Sequence, residues 1–369
     1  MKKALLVTIF RVPNYGSVLQ TYATQRVIES LGYGCCVLNY DHNKAEWAKV
    51  HGVKSESIKN KICMWLGLKA SHRKSNKLTA FINKHLHLTK KYFFFRDIQN
   101  NEGCNYDVYV AGSDQIWNTK YTNCDPVFLL EFADDSKRKI SVASSFACSQ
   151  LDARYVDEFK SQLSRFNKIS VREELGINVL KKIGIYESYQ VLDPTLLLDS
   201  EQWNSLKYSN DIQEKYILLY MWCYAFEPRP YIYKVLKEYQ QKLKCKIIVL
   251  EGYSDCSDEA KSYLNMVDAT DSSISDFLSY FSKATLVVTS SFHGTAFAVN
   301  YGVPLISIVP GGGDDRQSSL LNRLNLSQCC LKVGEDFSVL NPFYDKFKEQ
   351  QKMDELRKSS LDWIKASLE

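Results

Sequence analysis

TLVVTSSFHGTAFAVNYGVPLISIV, residues 285–309, opens on an apolar run from Thr285 to Thr289, crosses a cluster of small polar residues with one histidine, and closes on a second apolar run, Leu305 to Ile308. Runs this short and this uniformly apolar suit strands buried on both faces of a parallel sheet. The helical spacing from Thr295 to Tyr301 supplies the crossover that parallel strands need. One stretch of chain therefore reads as a strand, a helix and a parallel strand.

Outward from it the alternation repeats. Upstream lie strand Tyr216 to Trp222, helix Tyr231 to Leu243, strand Lys246 to Leu250 and helix Ile274 to Phe281; helix Ser318 to Leu324 follows. The first half carries strand runs at Ala4 to Phe10, Val37 to Tyr40, Asp107 to Ala111, Ile140 to Ser145, Lys168 to Val171 and Gln190 to Leu192. A helical pattern from Val18 to Leu31 stops at Gly32, a residue type favoured just past a helix end. The expected fold class is α/β, with two Rossmann-like, doubly wound parallel-sheet domains. Residues 1–205 form the first, with a helical insertion near 44–95, and 206–343 the second. The polar segment Asp199 to Glu214 reads as the linker, and a helix within 344–369 is expected to pack back on the first domain.

A length of 369 residues suits two such domains, and 45% apolar against 24% charged residues excludes wholesale disorder. The net charge of +5 is spread along the chain without a basic arm, which argues against nucleic acid as a partner. Eleven cysteines without a Cys-x-x-Cys read as reduced, mostly buried thiols of a cytoplasmic protein. The opening apolar run ends at Arg11 with no small-residue cleavage site, so it reads as a strand and not a signal peptide. No run reaches transmembrane length, which leaves only peripheral contact, at the inner face of the membrane. Five of the six histidines fall between His42 and His87 at irregular spacing; they read as solvated surface residues, and no metal site is expected.

Parallel sheets bind ligands at the carboxyl ends of their strands, where loops converge and helix N-termini point N–H groups outward. Those ends carry the unusual polar groups of this chain. The first strand is followed by Asn14, Gly16 and Gln20, and the third by Ser113, Asp114 and Gln115, whose amides and carboxylate suit sugar hydroxyls. The strand around Ile169 runs into Arg172, whose guanidinium fork suits a carboxylate or phosphate. In the quoted stretch, His293 sits among Ser290, Ser291, Gly294 and Thr295, where an anion would meet hydroxyls and backbone donors and the imidazole could donate a proton near neutral pH.

In order, the segments Asn14-Tyr15-Gly16-Ser17-Val18-Leu19-Gln20, Ala111-Gly112-Ser113-Asp114-Gln115-Ile116-Trp117-Asn118, Ser170-Val171-Arg172-Glu173, Asp193-Pro194-Thr195-Leu196-Leu197 and Ser291-Phe292-His293-Gly294 resemble the polysaccharide pyruvyl transferases. Each block alone is weak; five in sequence, spanning Ala4 to Leu326, are specific. The resemblance implies domains like those of the glycosyltransferase B fold and an enzyme that adds pyruvate, as a ketal, to a sugar of a bacterial-type cell-surface polysaccharide or its precursor. It implies phosphoenolpyruvate as co-substrate with no other cofactor, and a glycan or lipid-linked oligosaccharide as acceptor. His293, Arg172 and Asp114 become the catalytic residues. Arg172, Ser290, Ser291, His293, Gly294, Thr295 and Arg316 fall to the donor, and Asn14, Gly16, Gln20, Ser113, Asp114 and Gln115 to the acceptor. The chain departs from the family where many members carry an arginine shortly before the histidine; here stand Ser290, Ser291 and Phe292. Two alternatives stay open: a nucleotide-sugar glycosyltransferase of the same architecture and a non-catalytic glycan-binding relative. No Asp-x-Asp triplet occurs to chelate a metal-bound diphosphate donor.

Overall fold

The apolar runs become the central strands of two parallel sheets in the computed structural model, which describes residues 1–51, 69–208, 213–223, 225–310, 316–338 and 340–369. Packing divides the chain into two units. The first comprises Met1–Ile62, Thr79–Leu198 and Glu355–Glu369, the second Cys63–Leu78 and Asp199–Asp354.

In the first unit β1 (Lys3–Val7), β2 (Gly34–Val37), β3 (Val108–Ala111) and β4 (Arg138–Ser141) form a parallel sheet in the order β2-β1-β3-β4. Single bridges from Ile140 to Lys168 and from Ser144 to Val171 lead on to β5 (Ser170–Val171), which pairs with β6 (Tyr189–Gln190). Strand order reverses between β1 and β3, so the carboxyl ends of these two strands flank the crevice where such sheets bind ligands. Ala4 to Val7 and all of β3 are buried, as expected of strands covered on both faces.

The second unit holds β7 (Tyr216–Tyr220), β8 (Lys246–Glu251), β9 (Met266–Asp268), β10 (Leu286–Thr289), β11 (Leu305–Val309) and β12 (Cys330–Lys332). All are parallel, in the order β12-β11-β10-β7-β8-β9. This is the Rossmann order, and its reversal lies between β7 and β10. The sequence pattern misses β9 and β12 because both are edge strands. Val267 and Asp268 are exposed, and only Leu331 of β12 is buried, so neither carries an apolar run.

The polar segment Asp199 to Glu214 starts at the division between the units, with a helix, Ser200–Asn204, whose start is fixed by a capping box of Asp199 and Gln202; residues 209–212 lie outside the described ones. Two expectations need correction. His42 is buried edge-on to Phe128, with ring centroids 5.7 Å apart, rather than solvated. Among the ten described cysteines four are buried, Cys104 is exposed and the rest are half-buried. Residues 52–68 of the expected insertion lie outside the described residues; around them stand the helices Glu46–Val50 and Ala70–His85. The final helix, Lys346–Leu368, ends within the first unit, where Leu368 accepts a hydrogen bond from Tyr33 Oη (2.7 Å) and Leu196 O accepts one from Arg357 Nε (2.6 Å).

Candidate active site

In the first unit the segment after β1 starts a helix, Tyr15–Ser30, capped by Asn14, whose Oδ1 accepts from the N–H groups of Gly16 (2.8 Å) and Ser17 (3.4 Å). Asn14 and Gly16 therefore set the helix start. Gln20 is fully buried, and its amide nitrogen donates to Thr8 Oγ1, Ile9 O and Ser17 O at 3.0–3.2 Å. These bonds tie the helix to the end of β1. Gln115 is half-buried, and its Oε1 accepts from Asn118 Nδ2 (2.8 Å).

The turn after β3 is tight because Gly112 passes close to β1; a Cβ there would stand 2.7 Å from Leu6 Cδ1. The next two residues converge on a charge cluster. Ser113 Oγ donates to Asp193 Oδ2 (2.9 Å), and Asp114, with a left-handed φ of 71°, accepts from Ser17 Oγ at 2.6 Å. Arg172 stands at the centre. Its guanidinium donates to Asp193 Oδ2 at 2.9 Å and lies 3.3 Å from Glu173 Oε2 and 3.5 Å from Asp114 Oδ1. Asp193 also caps the helix Pro194–Leu197, accepting from Thr195 N and Oγ1 at 3.0 and 2.7 Å, while Glu173 accepts from Ser145 Oγ at 2.6 Å.

Electrostatics decides what this cluster does. Burial works against the Arg172 charge, but Asp193, Glu173 and Asp114 outweigh it and hold the guanidinium pKa above its ordinary value. Three carboxylates around one guanidinium leave an excess of negative charge. The Arg172 side chain has no exposed surface, whereas Asp114 keeps 11% of its own. Arg172 is thus placed as a clamp on Asp114, Glu173 and Asp193. Asp193 and Glu173 are the clamp's other jaws; the adjacency of Arg172 and Glu173 in sequence suggests a surface pair, but the pair is buried. The Asp-Pro pair at 193–194 signals a helix cap, but nothing local signals that Asp193 pairs with Arg172.

In the second unit the switch point between β7 and β10 carries His293. The helix Phe292–Asn300 begins three residues earlier than its periodicity suggests, because Ser291 is the cap and accepts from Gly294 N at 3.5 Å. His293 therefore sits in the first turn, 6% exposed, where N–H groups lack intrahelical partners and the helix dipole favours an anion. Gly294 lets the helix approach the sheet: a Cβ would fall 2.2 Å from Thr289 Oγ1 and 2.9 Å from the Tyr220 ring. Ser290 Oγ ties β10 to β7, donating to Trp222 O and accepting from Trp222 N, both at 2.8 Å. Thr295 Oγ1 is fully buried against Ser291 O (3.1 Å) and Ser307 Oγ (2.8 Å). The hydroxyls of Ser290 and Thr295 thus tie the ends of the strands and the helix together. Arg316 is half-buried, with its guanidinium 5.9 Å from the centre of the Phe292 ring; Gly311 to Asp315 before it lie outside the described residues.

Sequence reading also missed Lys74, which is buried, pairs with Glu251 at the end of β8 and lies 5.5 Å from the centre of the Trp222 ring. Among the described residues no group of three or more His, Cys, Asp or Glu side chains is placed to hold a metal ion.

The family model for polysaccharide pyruvyl transferase matches residues 14–311, from the Asn14 cap past the His293 helix. The chain belongs to that family. Search of curated proteins finds no match. Among solved structures, a candidate UDP-N-acetylglucosamine 2-epimerase from Listeria monocytogenes is similar at a TM-score of 0.55 and 10% identity, covering 99% of this chain and 90% of that one. S. aureus MnaA bound to UDP matches at 0.53 and 10%, covering 97% of each chain. Arabidopsis thaliana UGT89C1 with UDP-L-rhamnose matches at 0.50 and 11%, covering 100% of this chain and 99% of the other. At such identities the likeness speaks for fold alone: two Rossmann-like domains, as in glycosyltransferases of the B type and the epimerases. No described helix of this pyruvyl transferase family member is long and apolar enough to cross a membrane.

Proposed function

We propose that the protein transfers pyruvate from phosphoenolpyruvate to two hydroxyls of one sugar in a cell-surface polysaccharide or its lipid-linked precursor. The observation that carries this reading is His293, held in the first turn of a helix at the switch point of a Rossmann sheet, in a chain of the pyruvyl transferase family. In that reaction the methylene carbon takes a proton and a sugar hydroxyl bonds to the neighbouring carbon. The bond from that carbon to the phosphate oxygen breaks, and a second hydroxyl closes the ketal. Of the two hydroxyl protons, one balances the proton given to the methylene and the other leaves with inorganic phosphate.

His293 is the proton donor, and the helix N-terminus with Arg316 holds the donor's anionic groups. Asp114, fixed by Ser17 and Arg172, receives a hydroxyl proton of the acceptor sugar. The Rossmann strand order supports a nucleotide-sugar donor as the second reading. Thermal stabilisation by phosphoenolpyruvate, set against a panel of nucleotide sugars, separates the two. His293→Gln is expected to lower phosphate release with acceptor by about a hundredfold or more while leaving the melting temperature near the parent's. Parental turnover in that variant would remove His293 from the chemistry.

A further inference from the structure

A groove of about 1180 Å³ opens in the first unit among segments that follow β2, β3 and β4, outside the charge cluster described above. Its wall at 124–131 continues the Asp114 turn, because Trp117 Nε1 donates to Phe128 O at 3.2 Å and Asn118 caps the helix Thr119–Thr122. Pockets for single small molecules usually run to about 300–1,000 Å³, so this one suits a chain of units.

Its lining combines aromatic rings with carboxylates. Trp47 is half-buried and held in place: Nε1 donates to Asn123 O at 3.2 Å, and the ring lies 4.6 Å from that of His51. Phe94 is 47% exposed, and Phe95 and Tyr155 are half-buried beside it. Glu46, Asp97, Glu131 and Glu158 supply four carboxylates against the guanidinium groups of Arg96 and Arg154. Arg154 is already neutralised by Asp152 at 2.6 Å. Burial, and then Glu158, push the Glu131 carboxyl up, with Arg165 opposing. A groove this acidic on a chain of net charge +5 repels uronate or phosphate-bearing polymers. Rings that stack on the apolar faces of sugars, set among acceptors for their hydroxyls, fit an uncharged saccharide.

We propose that this groove binds the uncharged sugars that flank the modified residue of the acceptor chain. The inference rests on the pyruvyl transfer reading for what the bound chain is used for, but the binding itself needs no donor and no turnover.

The test is calorimetry on the full-length protein without phosphoenolpyruvate, using neutral tetrasaccharides of glucose, galactose, mannose and N-acetylglucosamine, tetragalacturonate, and a tetralysine peptide. At least one neutral tetrasaccharide is expected to bind, with affinity lowered tenfold or more by Trp47→Ala and by Phe94→Ala. The exposed Glu158→Lys is expected to raise the affinity for tetragalacturonate. Circular dichroism melting of each variant confirms that it is folded. The proposal is overturned if no neutral tetrasaccharide binds, if the ring variants bind as the parent does, or if tetralysine or tetragalacturonate binds the parent more tightly. Should phosphoenolpyruvate fail to bind while the groove still takes sugars, the transfer reading fails and this one stands.

Discussion

Replacing Arg172 by Met removes the only guanidinium between Asp114, Glu173 and Asp193 while nearly keeping its length. Arg172 and Asp193 have no exposed side-chain surface, Glu173 has 1% and Asp114 11%, so the remaining carboxylates face one another largely buried. Breaking a buried pair from one side costs about 3–5 kcal/mol, a large fraction of a net stability of about 5–15 kcal/mol. For a unit of this size the loss corresponds to a fall in melting temperature on the order of 10 °C. The left-over cluster binds a proton more readily folded than unfolded, so the variant regains stability as pH falls and loses it as pH rises. Urea unfolding followed by far-ultraviolet circular dichroism at pH 5.5 and pH 8 reads both effects. The deficit against the parent should be large at pH 8 and smaller at pH 5.5. Arg172→Lys keeps the charge and loses the fork; it should fall between Met and the parent and leave phosphoenolpyruvate affinity unchanged. An unchanged urea midpoint for Arg172→Met at pH 8, or a deficit that does not shrink at the lower pH, would refute the clamp.

Gly294→Ala places a methyl 2.2 Å from Thr289 Oγ1, so the His293 helix must lift from the sheet; a loss of about 1–3 kcal/mol in urea unfolding is expected, together with lost turnover. Burial lowers the His42 pKa to about 4, with Asp41 opposing, so neutral His42 contributes stability above its unfolded value of 6.5 that is lost as pH falls towards 4. His42→Gln should remove about 3 kcal/mol of the parent's acid sensitivity between pH 7 and 4, read by chemical unfolding across that range. Asp125 runs the other way. Burial raises its carboxyl from 3.8 to about 6, against the hydrogen bonds from Tyr40 and Val127, so ionisation costs stability as pH rises through 6. In Asp125→Asn, the part of the stability curve that declines between pH 4 and 7 should flatten.

The sequence by itself determined the layers, the parallel sheets and the strand ends that would carry chemistry. Apolar runs such as Leu286 to Thr289, flanked by polar turns and joined by helical spacings, suit strands covered on both faces, and the polar residues that follow them then lie at carboxyl ends. The positions of Asp114 and His293 were legible for this reason. The edge strands β9 and β12 were not, since one covered face leaves no continuous apolar signal. Tertiary structure alone decided what each polar group does. Arg172 meets Asp114 and Asp193 across long separations in sequence, in a buried cluster of charges. Thr295 is bonded to Ser291 and Ser307, and Gln20 to Thr8 and Ile9, by contacts that depend on how the helices pack on the strands. Lys74 and Glu251 are 177 positions apart, and the aromatic groove draws its wall from three separate crossovers. Strand and helix patterns are local and repeat within a few residues. Charge pairing and burial are set by distances in space, which the order of residues along a chain does not contain.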